Sequence, residues 1–175
     1  MVEEQLDLFS PLPLRTEFVR SLVSSLFTSR HRLLDDFCVA YELNYAKPWP
    51  EKINKGGWET CGVKWNGEML KTGSTVMYTL YLLAKRYPQI KNAGYSVLLP
   101  GAEIAPHRGY SGEVLRLHFP LVVPNGDCGI KIDGVQYQWV LHEPMLFDDT
   151  LEHEAWNRTN DVRIIVLFDI GKIYL

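Results

Sequence analysis

Two histidines, His107 and His153, and one arginine, Arg163, carry the chemistry that this sequence offers first. Imidazole is a common ligand for first-row transition metals, and each histidine stands at the edge of a β-rich segment. His107 follows Pro106 and precedes Arg108-Gly109, which predicts a turn just before a strand; His153 follows Asp148-Asp149 and is read as a strand end. Arg163 opens the otherwise apolar run Val162 to Phe168, where it shares a face with Ile165 and Leu167. A guanidinium buried there without an anion would cost several kcal/mol, so a bound carboxylate is its expected partner. Two histidines followed by such an arginine form the pattern of a metal site that also holds a small dicarboxylate. The usual cage for non-haem Fe(II) adds a carboxylate two residues after the first histidine; here that position is Gly109. Arg116 and His118 alternate onto one face of the run 114–119, opposite Leu115, Leu117 and Phe119. His31 and His142 lack such company and read as ordinary hydrogen-bonded residues.

The elements that must position these groups are short strands. From Gly94 onward the chain alternates apolar runs (95–99, 114–123, 129–132, 136–141, 144–147 and 162–170) with turns at Pro100-Gly101, Pro124 to Asp127, Asp133-Gly134 and Asn157 to Asp161. This spacing predicts a mainly β fold, a sandwich or jelly roll, with helices packed outside it. One helix is expected from an N-cap at Thr16 through Phe18, Leu22 and Leu26 to about Ser29, and another over Met77 to Tyr87, stopped by Pro88. The segment from Leu33 to Tyr41 fits helix or strand. Pro11 and Pro13 predict an extended arm, and Ala46 to Gly73 predicts short strands and long loops carrying Trp49, Trp58 and Trp65, which are expected to cover the edge of the core.

At 175 residues the expectation is one domain, with residues 1–93 as helical and loop support and substrate-side segment and residues 94–175 as the jelly-roll core. A net charge of -3, with no block of like charge, gives no pull toward nucleic acid. The acidic N-terminus lacks a secretory pattern and no apolar run is long enough to span a bilayer, so a soluble, cytoplasmic protein is expected. Cys38, Cys61 and Cys128 are odd in number and unpaired in spacing, and are read as buried or half-buried thiols. Nothing in the sequence sets the oligomeric state.

Together, Ser96 to Pro100, the run from Pro100 to Gly109, Leu115-Arg116-x-His118, Phe147-Asp148-Asp149 through His153-Glu154-x-Trp156-Asn157, and Arg163 with its strand resemble the aspartyl/asparaginyl β-hydroxylase family of 2-oxoglutarate oxygenases. That family also includes acyl-chain hydroxylases. The resemblance implies a double-stranded β-helix, cupin-like, and an Fe(II) ion held by only two protein ligands, His107 and His153, glycine at 109 being the mark of the two-histidine branch. It implies that Ser96 and Arg163 bind the distal carboxylate of 2-oxoglutarate, and that Arg116 and His118 lie near its metal-bound end. Asp149 is the candidate to hold a metal-bound water. Asp148 carries turn chemistry, Glu152 and Glu154 flank His153, and Trp156 is expected to pack over the site. The implied activity is O2-dependent hydroxylation of an unactivated C–H bond, coupled to conversion of 2-oxoglutarate to succinate. The β-carbon of an Asp- or Asn-like residue or a small amino-acid-derived or carrier-tethered molecule is the expected substrate, with an acyl chain as the alternative. From a different class, the alternative is a cupin-like metal- or ligand-binding protein without turnover, against which Arg163 speaks; a halogenase would need a halide pocket that no motif here provides.

Overall fold

A computed structural model describes residues 16–71 and 73–172. The expected arm at Pro11 and Pro13 lies outside the described residues.

Helix α1 runs Glu17–Glu42, and Thr16 caps it by accepting a hydrogen bond from the Val19 amide at 3.3 Å. Val19, Leu22, Leu26, Leu33, Phe37 and Ala40 recur on one buried stripe, each large one contributing roughly 1.5–3 kcal/mol by leaving water. The helix does not stop at Ser29, and the ambiguous segment from Leu33 to Tyr41 is its second half. Two short strands follow, β1 (Lys47–Pro48) and β2 (Asn54–Lys55), then β3 (Trp58–Trp65) and β4 (Glu68–Met69). Helices α2 (Gly73–Val76) and α3 (Tyr78–Arg86) come next, α3 ending before Pro88. Met77 offers α3 no side-chain cap; instead Asp36 of α1 accepts the Thr79 amide at 2.7 Å, which ties the two helices together.

The remaining strands are β5 (Ile90–Leu98), β6 (Glu103–His107), β7 (Val114–Val122), β8 (Cys128–Ile132), β9 (Val135–Gln138), β10 (Met145–Phe147), β11 (His153–Asn157) and β12 (Arg163–Gly171). They form two antiparallel sheets, a large one in the order β1-β3-β5-β12-β7-β10, with β4 on β3, and a smaller one in the order β2-β6-β11-β8-β9. The protein is a mainly β, double-stranded β-helix with flanking N-terminal helices. Strand β3 comes from the segment read as support, yet it pairs with β5 along most of its length.

Alternation on β12 divides the core. Ile164, Val166, Phe168 and Ile170 face the helices with Leu22, Leu26, Leu33 and Leu80. The other face looks between the sheets, where Trp58, Leu98, Ile104, Ile130, Trp139, Met145 and Phe147 pack. Cys61 and Cys128 are buried thiols, pushed up to about 11 by that burial, whereas Cys38 on the outer side of α1 is exposed, contrary to expectation. Among the described residues, no helix is long and apolar enough to cross a membrane.

Candidate active site

Strands β6 and β11 are neighbours, and their register sets His107 directly opposite His153. The two imidazoles lie 4.2 Å apart between ring centroids. His107 is thus the last residue of β6 rather than part of a turn before a strand. Each ring is fixed in the same way: Nδ1 of His107 donates to the Ala105 carbonyl at 2.9 Å, and Nδ1 of His153 donates to the Leu151 carbonyl at 2.8 Å. Because a carbonyl can only accept, both rings carry their proton on Nδ1, and Nε2 is left as the atom able to bind a metal. Burial pushes the His153 imidazole down to about 4, so it is neutral at neutral pH. Among the described residues, no third His, Cys, Asp or Glu joins these two in a ligating cluster.

Asp149, 3 % exposed, lies beside the pair with Oδ1 3.4 Å from His153 Nε2 and 2.6 Å from Arg116 Nη1. The approach to Arg116 is an ion-pair distance only, since Oδ1 is buried without a hydrogen bond of good geometry, and the neutral His153 ring adds no ion pair. Burial raises the Asp149 carboxyl above the usual carboxylate range. Its Oδ2 fills the room beside Gly109: a Cβ on that glycine would sit 1.7 Å from it. Any side chain at position 109 would therefore displace Asp149. Asp148 is occupied elsewhere, accepting from the Thr150 amide and hydroxyl and from Lys172 at 2.6 Å, so it serves the turn.

Deeper between the sheets lies Arg163, 2 % exposed. Its Nη1 donates to the Ser96 carbonyl at 3.0 Å and to Ser96 Oγ at 3.3 Å, its guanidinium covers the Trp139 ring at 4.6 Å, and its Nε is buried with no partner. No carboxylate among the described residues pairs with it, and burial lowers its pKa to about 10. Ser96 Oγ also accepts from Trp58 Nε1 at 3.0 Å, which leaves its own hydroxyl hydrogen without an acceptor among the described residues. An unpaired guanidinium donor and a spare hydroxyl on one spot suit a carboxylate; the paired Nε2 atoms suit a divalent metal. His118 accepts from Trp139 Nε1 at 3.3 Å and stacks edge-on with Phe147; burial holds its imidazole well below the ordinary range. Arg116 is held by Asp169 on the neighbouring strand.

A cleft of about 1270 Å³ opens over Ser96, His107, Arg116 and Asp149. Trp49 and Trp58 stack at 4.7 Å along its wall, and Trp49 Nε1 is buried without an acceptor. Trp58 belongs to the space between the sheets, and Trp65 is 58 % exposed, so only part of the tryptophan set covers a core edge. Trp156 is not over the site: it alternates away from His153, packs against Gly129 and donates to Asp127 at 2.5 Å. Sequence reading missed Asp169, although it lies on the same face of β12 as Arg163, six residues along, and alternation alone would have placed it there. It also missed Trp139, for which no sequence signal exists.

Helices on one side of a two-sheet β-helix, with paired imidazoles and a buried arginine inside, are the build of a jelly roll with a polar site between its sheets. The aspartyl/asparaginyl β-hydroxylase family model matches residues 33–172, and the chain belongs to that family. It is 37% identical over 90 residues to an ornithine lipid ester-linked acyl 2-hydroxylase of Rhizobium tropici, a match covering 50% of this chain and 32% of that protein. It is 35% identical over 85 residues to the aspartyl/asparaginyl β-hydroxylase of Homo sapiens, covering 49% of this chain and 11% of that protein. The chain therefore spans a third or less of the length of these relatives. A solved 2OG-Fe(II) oxygenase family protein from Burkholderia pseudomallei has the same fold, with a TM-score of 0.56 at 11% identity over 87% of this chain and 90% of its own.

Proposed function

We propose that this chain is an Fe(II)- and 2-oxoglutarate-dependent oxygenase that hydroxylates an unactivated C–H bond. The observation that carries the reading is Arg163, a buried guanidinium with an unpaired Nε and no carboxylate partner among the described residues, in the same interior as two imidazoles that leave Nε2 available. A plain metal-binding cupin has no use for it. His107 and His153 hold the metal; Ser96 and Arg163 take the far carboxylate of 2-oxoglutarate; Arg116 and His118 border its metal-bound end; Asp149 orients a water beside the imidazoles. Iron held by His107 and His153 would, with O2 and 2-oxoglutarate, supply the oxidising chemistry, one oxygen atom ending on the substrate and the other in succinate with release of CO2. The protein's share is to fix these groups and keep water from the reacting carbon.

The names of the two relatives share one piece of chemistry. The 2-position of an acyl chain is the carbon beside its ester carbonyl, and the β-carbon of aspartate is the carbon beside its side-chain carboxyl. The substrate is accordingly a methylene next to a carbonyl group, of an Asp- or Asn-like residue first and an acyl chain second. The buried Trp49 N–H on the cleft wall fits this, since a carbonyl oxygen in the cleft can accept from it.

Adding 2-oxoglutarate to the Fe(II)-loaded protein without O2 is expected to give a visible metal-to-ligand charge-transfer band. Its absence would return the protein to the non-catalytic binding class. Succinate release is then compared with an aspartyl peptide, free aspartate and an acyl ester, each with its methylene next to the carbonyl either present or blocked by two methyl groups. Equal coupling to the blocked compounds would refute the substrate class.

A further inference from the structure

We infer that Asp169 is a positioning residue: it grips the Arg116 guanidinium by one edge, so that only the opposite corner reaches Asp149 beside the paired imidazoles. The contact stands on geometry alone; its consequence for metal binding rests on the oxygenase reading above.

Asp169 lies near the end of β12, 3 % exposed, in register with Arg116 on β7 and with Asn92 on β5. Arg116 Nε donates to Oδ1 at 2.8 Å and Nη2 to Oδ2 at 3.0 Å, the two parallel bonds of a guanidinium–carboxylate fork. Asn92 Nδ2 donates to the same Oδ2 at 2.8 Å while its own Oδ1 accepts the Asn66 amide at 2.7 Å, so the carboxylate is braced from the other side and cannot turn. Arg116 Nη1, the corner left over, lies 2.6 Å from Asp149 Oδ1.

One guanidinium between two carboxylates makes a fork with only one of them. Left to itself, Arg116 would take Asp149 in the fork and draw both its oxygens away from the imidazoles. With Asp169 in the fork, Asp149 meets a single corner. It keeps Oδ1 near His153 and Oδ2 in the room beside Gly109. One N–H on each of the two terminal nitrogens of Arg116 is also left over for an incoming anion. Asp169 thus sets where Asp149 stands without touching the metal position itself.

The first arm of the test needs no metal. In the metal-free protein the Arg116 Nε–H, assigned by its loss in Arg116→Gln, is expected to exchange slowly with solvent, and at least about tenfold faster in Asp169→Asn. The second arm uses Mn(II) as the probe: Asp169→Asn is expected to bind it about tenfold more weakly than the wild type, and the Asp169→Asn, Arg116→Gln double variant no more weakly than Arg116→Gln alone. Asn92→Ala, which loosens the carboxylate but keeps its charge, is expected to shift both readouts in the same direction by less, and it serves if Asp169→Asn does not fold. Unchanged Nε–H exchange in a folded Asp169→Asn overturns the contact; wild-type Mn(II) affinity in that variant overturns its consequence. A wild type that takes up no Mn(II) overturns the oxygenase reading instead, and the exchange arm still decides whether Asp169 holds Arg116.

Discussion

The glycine at position 109 and the carboxylate of Asp149 share one small volume, and the site depends on that exchange. A Cβ at 109 would lie 1.7 Å from Asp149 Oδ2 and 2.4 Å from its Cγ, far inside any tolerable contact. Gly109→Ala is expected to expel the Asp149 side chain, to weaken Mn(II) binding at least about tenfold, and to leave the protein folded, since the severe overlap is with a side chain lining the cleft and the Asp149 carbonyl, at 3.0 Å, need move only by a few tenths of an ångström. Equilibrium dialysis beside a melting curve checks this; wild-type affinity in Gly109→Ala would mean that Asp149 has no part in the metal's surroundings. The two other anchors separate cleanly. His107→Ala is expected to lose the metal altogether. Arg163→Gln is expected to keep the metal while 2-oxoglutarate binds about 10- to 100-fold more weakly, the size of a lost charge-assisted contact of about 1.5–3 kcal/mol. Isothermal titration with the metal-loaded variant reads the difference, and a variant that loses both ligands together would point to collapse of the interior instead.

At the scale of elements, one buried side chain secures the turn that delivers Arg163. Asn157, fully buried, gives Nδ2 to the carbonyls of Leu98 at 3.0 Å, Leu99 at 3.3 Å and Asp161 at 2.8 Å, and its Oδ1 accepts from the Thr159 amide and hydroxyl. It clasps the end of β5 to the β11–β12 turn. Asn157→Ala is expected to cost about 2–3 kcal/mol in urea unfolding, because those buried acceptors lose their donor, and to weaken 2-oxoglutarate binding by loosening the start of β12. A loss below about 0.5 kcal/mol would show that water replaces the clasp. What sequence reading saw and missed divides along the same line. The strands after residue 94 were legible because apolar runs and turn residues alternate there, and parity on β7 and β12 placed Arg116, His118 and Arg163 inside. Helix α1 runs past Ser29, where the sequence reading ends it; Ser25 and Thr28 donate back to the carbonyls four residues earlier, so these hydroxyls are satisfied without breaking the helix. Contacts fixed by register between distant strands, such as His107 with His153, or Trp58 with Ser96, leave no local mark at all.

For the molecule as a whole, shutting neutral imidazoles inside the β-helix makes stability depend on pH before any ligand binds. His153 is depressed by burial from an ordinary value of 6.5 to about 4, and burial depresses His118 in the same direction. Between those two values the unfolded chain takes up a proton that the folded chain refuses, so the folded state is fully favoured above about 6.5 and loses ground as the pH falls toward 4. For His153 alone the loss approaches about 3 kcal/mol, since each unit of depression is worth about 1.4 kcal/mol. The raised carboxyl of Asp149 works in the opposite sense, above its ordinary value, and offsets part of this loss. The metal-free protein is therefore expected to show a urea midpoint that is nearly level from pH 7.5 to about 6.5 and falls from there to pH 5. Mn(II) takes the folded pair of rings, and His153 stays deprotonated there down to about 4, so at a fixed concentration the metal is expected to raise the midpoint across this interval. A metal-free midpoint that stays level across this range would mean that the two rings accept protons as freely folded as unfolded, and that the interior between the sheets is open to water.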